Sequence, residues 1–295
     1  MTRLTGRTLL AAAGLALVVA CGGVKDDPIL RLSSSEALDI GKQLMTDEKF
    51  SQALQHLVHA FEVEPNSETG REGLLLAADA LYLRGGYQSY VEAEQRYRDF
   101  LNRFPTSERA SYAQFRLASA LAERIEKPDR DQQTARQALT EFENVRRLYP
   151  TSQYAGQAAQ KIVEVRNQLA EHEFVVGSYY YRSRTPRAAG DRFRGMLEQY
   201  PDYPDKDKIH AYMCLTYVQV LKRARFDAGL DVVDYLRDAC EQLWSEYAGS
   251  PWIKKVPSPE KIRKMRSDLR PAPPAPPRPA RGGEAEPEGE DGPGS

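Results

Sequence analysis

The feature that most constrains this chain is a spaced set of alanine, bulky apolar and proline residues that occurs four times. An alanine stands twelve residues before each of four prolines, and a leucine or aromatic residue stands eight before it. The alanines are Ala53, Ala93, Ala138 and Ala189, the bulky residues are Leu57, Tyr97, Phe142 and Phe193, and the prolines are Pro65, Pro105, Pro150 and Pro201. Self-similarity at a regular spacing is the signature of a repeat array, in which each repeat packs on its neighbours.

Each position has a physical reason. A small alanine lets two antiparallel helices approach closely, the bulky residue one turn later fills the groove between helix pairs, and proline cannot continue a helix. This spacing resembles the second helix of the tetratricopeptide repeat, and Gly41 matches the small residue of the first helix in repeat one. The sequence therefore predicts an all-α fold, an α-solenoid of about five tetratricopeptide-like helix pairs.

The apolar residues between these positions recur every three or four residues, which is helical periodicity. Ser33 followed by Glu36 is a capping-box pattern that opens the first helix. Residues 153–182 are predicted to form one long helix, broken at most near Gly177.

A fifth helix pair is less regular. One alignment anchors it on Pro251, with Ala239 and Leu243 in the two repeat positions. We prefer a second alignment, which matches residues 247–250 to residues 149–152 and keeps the Tyr and Ser positions. Cys214 and Cys240 lie symmetrically about the turn of this pair. Because a disulfide needs Cα atoms within about 7 Å, closer than helices usually pack, we expect two buried thiols.

The N-terminus reads as a targeting signal. Arg3 and Arg7 precede twelve residues without a polar side chain, Leu9 to Ala20, which is too short for a membrane span of about 20 residues but has the length of a signal-peptide core. The run ends at Val18-Val19-Ala20-Cys21, which resembles a bacterial lipobox. The resemblance implies cleavage before Cys21 and its acylation, including palmitate. The alternative is an ordinary secretory signal with an incidental Cys21.

The C-terminus changes in composition. Residues 252–270 carry seven Lys or Arg against two acidic residues, and residues 271–295 contain eight of the 19 prolines and no apolar periodicity. Such a tail cannot bury enough surface to offset its ordering entropy. We predict a signal peptide at 1–20, a linker at 21–32, repeats one to three at 33–150, repeats four and five at 151–250, a basic capping helix at 251–270 and a disordered tail at 271–295.

The sequence lacks the common motifs of catalytic and cofactor-binding sites. The 41 basic residues balance 42 acidic ones, which argues against a nucleic-acid binder that neutralises phosphates by bulk charge. The sequence holds no GxSxG, P-loop, GxGxxG or HExxH pattern. His56 and His59 could touch one metal ion, but a solvated helix face is the preferred interpretation. We expect no catalytic residue, cofactor or metal.

A resemblance to a known family goes further. Residues 169–181, with Ala188-Ala189, Arg192-Phe193 and residues 196–202, closely resemble the fourth repeat of the BamD family, the tetratricopeptide lipoproteins of the outer-membrane β-barrel assembly machinery. Residues 142–154 resemble the junction between that family's third and fourth repeats. The Pro-rich tail and the loop at residues 85–90 depart from the family pattern.

The resemblance implies a non-enzymatic scaffold that is lipid-anchored to the outer membrane and faces the periplasm. Its expected partners are the barrel subunit BamA, other lipoproteins of the machinery and unfolded outer-membrane proteins. Partner-binding candidates are Arg187, Arg192, Arg194, Glu171 and His172, and substrate-binding candidates are Tyr82, Arg84, Tyr87 and Tyr90. For Arg192 we expect an acidic residue on the partner. Two rival hypotheses remain: another periplasmic tetratricopeptide adaptor, which coordinates envelope or peptidoglycan machinery, and an enzyme with an unrecognised site.

Overall fold

The computed structural model describes residues 27–225 and 230–271. The predicted signal peptide, Cys21 and nearly all of the Pro-rich tail lie outside these ranges. The chain divides into two units, residues 1–96 and 97–295.

The first unit begins with a short 3₁₀ helix, Pro28–Arg31, and contains α1 (Ser34–Thr46), α2 (Phe50–Val63), α3 (Glu68–Arg84) and the first part of α4 (Tyr87–Arg103). The predicted capping box is present, because the Ser33 side chain accepts from the Glu36 backbone N–H while Glu36 accepts from the Ser33 backbone. A Cβ atom on Gly41 would lie 2.6 Å from Leu57 of α2, so the small residue makes room for the bulky one.

The second unit holds the rest of α4 and seven further helices. They are α5 (Ala110–Ala122), α6 (Gln133–Leu148), α7 (Tyr154–Arg182), α8 (Pro186–Gln199), α9 (Lys206–Arg223), α10 (Asp234–Glu246) and α11 (Pro259–Ser267), with 3₁₀ helices at Leu230–Val233 and Pro251–Lys255. The long helix predicted over 153–182 is the 29-residue α7, and it continues through Gly177.

The repeat positions behave as predicted. The four alanines and the four bulky residues of the repeat spacing all have an exposed fraction of 0%. The second helices α2, α4, α6 and α8 each end two residues before the repeat proline, as expected because proline disfavours helical backbone in the residue before it. Within the described residues, α1 to α10 form five successive pairs, and the prediction of an all-α tetratricopeptide-like array is confirmed.

The fifth pair, α9 and α10, corrects one prediction. Cys214 and Cys240 form a disulfide, with their Cα atoms 4.7 Å apart, so the expectation of two free thiols was wrong. Each Cα atom lies about 2.3 Å from its own helix axis, so two Cα atoms that face each other across helices at the usual axial spacing of about 8–10 Å come within reach of a disulfide. Tyr247 caps the C-terminus of α10 as Tyr149 caps that of α6, in agreement with the preferred alignment.

Candidate functional site: the α7–α8 surface and the α3–α4 turn

Helix α8 presents two different faces. Pro186 occupies its first turn, where a missing backbone N–H costs nothing. Ala189, Phe193 and Met196 recur every three or four residues and are buried. The same periodicity leaves Arg187, Arg192 and Arg194 exposed, and we call these three the α8 arginines.

Arg192 has a carboxylate partner within the chain. Its Nη1 lies 3.0 Å from Oε2 of Glu173 on α7, and the side chains are 49% and 23% exposed. The pair lines an open cavity of about 450 Å³ together with Tyr180, Asp191 and Gln199. Sequence reasoning missed Glu173, because the spacing along one helix does not report which residue of the neighbouring helix lies opposite.

Arg194 belongs to a second cluster. Its guanidinium lies 3.1 Å from Asp191 and 4.5 Å from the centre of the Tyr235 ring on α10. The Tyr235 hydroxyl donates to Asp191 at 3.1 Å. Burial, followed by the charge of Asp191, raises the pKa of Tyr235 to about 12, so this phenol stays protonated at neutral pH. Arg187 forms no ion pair with any of the described residues.

Three consecutive residues of α7 face three different neighbours, because successive helical side chains are about 100° apart. Glu171 accepts from the Tyr203 hydroxyl and lies 3.4 Å from the Lys208 ammonium. His172 Nδ1 lies 2.7 Å from the Pro128 carbonyl oxygen, on the α5–α6 connection. Only Glu173 reaches Arg192. The structure therefore separates Glu171 and His172 from the α8 arginines.

The buried Tyr203 and the partly exposed Glu171 form a hydrogen-bonded pair next to Lys208. Burial, and then the hydrogen bond to Glu171, raise the pKa of Tyr203 above its usual range. The Lys208 ammonium also lies 3.8 Å from the centre of the Phe174 ring. These contacts hold α7, α9 and the α8–α9 connection together, which is a packing arrangement rather than an arrangement for proton transfer.

The four substrate-binding candidates meet at the α3–α4 turn, and we call Tyr82, Arg84, Tyr87 and Tyr90 the tyrosine turn. The Tyr82 and Tyr90 rings pack edge to face at 5.5 Å. Arg84 donates to the Ser89 hydroxyl at 3.0 Å and lies 3.7 Å from Glu92. Tyr87 is 66% exposed.

Two glycines allow this turn to be so tight. Gly85 and Gly86 have φ angles of +72° and +88°, a left-handed conformation that glycine adopts without steric cost. The turn thus carries an exposed aromatic ring, Tyr87, and a cation, Arg84, three residues apart in the sequence.

The two candidate metal ligands do not share a site. His56 bonds to the Gln52 carbonyl at 3.1 Å, while His59 bonds to the Leu32 carbonyl at 3.0 Å and is only 7% exposed. His59 therefore lies buried between α2 and the segment before α1, and it is not part of a solvated helix face. Across residues 27–225 and 230–271, no group of His, Cys, Asp or Glu is arranged to hold a metal ion. In the same ranges, no helix is both long enough and apolar enough to cross a bilayer.

Paired helices with buried alanine and bulky residues at fixed positions define the class: a tetratricopeptide-type repeat protein. The sequence profile of the family described as "YfiO: Outer membrane lipoprotein" matches residues 31–227. The chain belongs to this family.

Two relatives whose names state a function extend the comparison. The "Outer membrane protein assembly factor BamD" of Haemophilus influenzae is 26% identical over 212 residues, covering 68% of this chain and 79% of the relative. The protein of the same name from Pasteurella multocida is 27% identical over 213 residues, with the same coverage. A solved thermophilic TPR protein of Thermus thermophilus aligns with a TM-score of 0.33 and 16% identity, covering 79% of this chain and 97% of that chain.

Proposed function

We propose that this chain is a non-catalytic subunit of an outer-membrane protein assembly machinery, anchored in the outer membrane through lipid on Cys21 and facing the periplasm. The observation that carries the proposal is the family match over residues 31–227, together with relatives named as assembly factors. An array of helix pairs suits a scaffold, because adjacent repeats offer binding surfaces that extend over several helices.

We infer that the α8 arginines dock the barrel subunit of the machinery, BamA. Arg192 keeps half of its surface exposed although it already contacts Glu173, so its remaining N–H groups are available to a carboxylate on the partner. Guanidinium groups bind carboxylates through two parallel hydrogen bonds. Arg187 and Arg194 lie on the side of α8 towards Tyr235 of α10 and widen the surface that the partner would cover. Glu171 and His172 support this surface through the packing of α7.

A charge swap separates docking from internal packing. Arg192→Glu should weaken the complex with the purified periplasmic domains of the barrel subunit at least tenfold, or about 1.4 kcal/mol. The substitution removes the cation that the partner's carboxylate would bind and places a second carboxylate beside Glu173. The double variant Glu173→Arg/Arg192→Glu restores the internal ion pair with reversed positions. If the partner binds the cation at residue 192, the double variant should still bind the partner weakly.

Calorimetry or interferometry measures these affinities, and circular dichroism checks that each variant is folded. Arg136→Glu is the matched control, because Arg136 is an exposed arginine of the same unit with a carboxylate 3.6 Å away. Recovery of full affinity in the double variant would assign Arg192 to internal packing, and equal losses for Arg136→Glu would reject a specific docking surface.

We further infer that the tyrosine turn binds the C-terminal strand of unfolded outer-membrane proteins. An exposed Tyr87 ring can cover apolar side chains of an extended peptide, and Arg84 can pair with its terminal carboxylate. Tyr87→Ala should weaken binding of such a peptide about fivefold or more, measured by fluorescence anisotropy. Tyr179→Ala is the control, since Tyr179 is 60% exposed on α7. Equal affinity for a scrambled peptide would overturn this assignment.

A further inference from the structure

The end of the array carries a concentrated positive charge. We define the basic cap as Lys254, Lys255, Lys261, Arg263 and Lys264, which lie on the 3₁₀ helix Pro251–Lys255 and on α11. All five are exposed. Between residues 251 and 270 the chain has seven basic and two acidic residues. The basic cap is therefore a strongly charged surface outside both sites described above.

The basic cap is held firmly on the second unit. The Ser250 hydroxyl donates to Asp207 of α9 at 2.6 Å, and the Trp252 ring packs on Tyr212 at 5.6 Å. On α11, Ile262 is 6% exposed, and Arg266 donates to the Tyr217 hydroxyl at 3.4 Å. Because these residues fix the two helices on α9, the charges of the basic cap have a defined arrangement.

Within residues 27–225 and 230–271, none of the five basic-cap residues forms an ion pair, whereas the neighbouring Arg266 lies 3.9 Å from Asp234. Lys255 instead sits over the Trp252 ring, with its ammonium 3.8 Å from the ring centre. Lys261 and Lys264 are one helical turn apart and both exposed, whereas Ile262 is buried. Like charges held this close repel one another, so the surface favours an anionic occupant.

The chain itself carries a matching segment. Residues 282–295 contain five acidic residues and no basic one: Glu284, Glu286, Glu288, Glu290 and Asp291. This segment lies outside the described residues. The intervening residues 271–279 contain six prolines, and nine residues of this composition can span up to about 28 Å. The nine-residue α11 is only about 14 Å long, so the acidic segment can reach all the basic-cap residues of α11.

We propose that the acidic segment Glu284–Asp291 docks on the basic cap of the same chain and shields it from other anionic partners. Five charges face five charges, and each exposed pair alone contributes under about 1 kcal/mol. The short tether supplies an effective concentration in the millimolar range, which makes several such weak pairs sufficient. This inference does not depend on the proposed function, because it concerns neither the α8 arginines nor the tyrosine turn.

Zero-length crosslinking of the full chain tests the contact directly. A carbodiimide joins a carboxylate to a lysine amine only when the two touch, and mass spectrometry identifies the linked residues. We expect crosslinks from the acidic segment to the four basic-cap lysines at least five times as often as to Lys222, an exposed lysine of α9. They should fall several-fold at 1 M salt, where the Debye length is about 3 Å.

Mixing isotope-labelled and unlabelled chains distinguishes contacts within one molecule from contacts between two. Equal crosslinking to Lys222 and to the basic cap would overturn the proposal, as would crosslinks that form mainly between molecules or that persist unchanged at 1 M salt.

A second measurement detects the shielding. An eight-residue polyglutamate peptide should bind the variant E284Q/E286Q/E288Q/E290Q/D291N at least five times more tightly than the unchanged chain. The control variant E62Q/E64Q/E108Q/D129N/E143Q gains the same net charge at five exposed sites elsewhere and should show less than half of that gain.

A third variant neutralises the basic cap itself: K254Q/K255Q/K261Q/R263Q/K264Q. This variant should no longer bind the polyglutamate peptide. Equal peptide affinity for the unchanged and tail-neutralised chains would show that the acidic segment leaves the basic cap uncovered. Equal binding of the unchanged and tail-neutralised chains to phosphatidylglycerol vesicles would also overturn the proposal, because an anionic membrane would then reach the basic cap without competition from the acidic segment.

Discussion

Repeat four and the fifth helix pair solve the same packing problem with different residues. In repeat four, Ala189 and Phe193 occupy the two repeat positions of α8, and both are fully buried. In the fifth pair, the residues at the same distances from the capping tyrosine are Leu236 and Cys240. The bulky ring is thus replaced by a small side chain that bonds to Cys214.

One repeat position can therefore be stabilised either by a bulky side chain or by a covalent bond. Phe193 needs an opposing space, which Gly177 supplies, because a Cβ atom there would lie 2.5 Å from the ring. Cys240 instead needs the Cα atom of Cys214 directly opposite, at the observed 4.7 Å. Dense packing makes each solution specific to its own neighbours, so the two pairs should respond differently to substitution, to reduction and to acid.

The largest effect is expected from Phe193→Ala. Removing a fully buried aromatic ring should lower the free energy of unfolding by about 3–5 kcal/mol, since a cavity replaces its contacts. Urea titration measures the change. Val163→Ala, on the exposed side of α7 where Val163 is 53% exposed, should stay within about 0.5 kcal/mol. Similar losses in both variants would contradict a special role for this position.

Reducing the disulfide should come next. Opening a bond between residues 26 apart returns conformational freedom to the unfolded chain, and the chain-entropy model gives about 3.5 kcal/mol for such a loop. Urea titration with and without reductant measures this loss, and hydrogen exchange should place it in α9 and α10. The variant Cys214→Ala/Cys240→Ala should be insensitive to reductant. Exchange that rises equally in α1 and α2 would argue against a local effect.

A smaller effect is expected from Gly177→Ala. The new methyl group overpacks the Phe193 ring, which costs about 1–3 kcal/mol, while alanine recovers about 1 kcal/mol of helix propensity. The net loss should therefore be about 1 kcal/mol. In a double-mutant cycle with Phe193→Leu the two losses should be less than additive, because the shorter side chain makes room. Strict additivity would show that Gly177 and Phe193 are not coupled.

The smallest effect concerns acid and the fifth pair. Burial is the main cause that lowers the pKa of His210 on α9, where its ring packs on Tyr247 at 5.3 Å. The unfolded chain has a histidine pKa of about 6.5 and so binds the proton first as the pH falls. Stability is therefore complete above about pH 6.5 and declines below it, by at most about 1.4 kcal/mol per unit of pKa difference. His210→Gln should remove this slope, and identical pH profiles would contradict it.

Much of the fold could be predicted because its signals are local. The capping box needs only Ser33 and Glu36, and each second helix ends where a proline follows. Both depend on residues a few positions apart. The disulfide was mispredicted for a related reason: symmetry about a turn predicts that two cysteines lie at equal height, but not that both face the contact between the helices.

The sites divide in the same way. The tyrosine turn could be recognised because Tyr82 and Tyr90 are near in sequence, and the two glycines between them favour a turn. The spacing of α8 also predicted that Arg192 is exposed. That Arg192 faces Glu173, or that His59 is buried, could not be predicted, because both depend on the register of one helix against another segment.

Caps, prolines and apolar periodicity act within one or two turns, so the helix ends and the buried side of each helix follow from local sequence. Whether a charge meets an opposite charge from another segment depends on tertiary packing. Arg192 meets the carboxylate of Glu173, 19 residues away in the sequence, while the five residues of the basic cap meet none among residues 27–225 and 230–271. Ion pairing depends on a separation of about 4 Å between side chains far apart in sequence, and packing alone sets that separation.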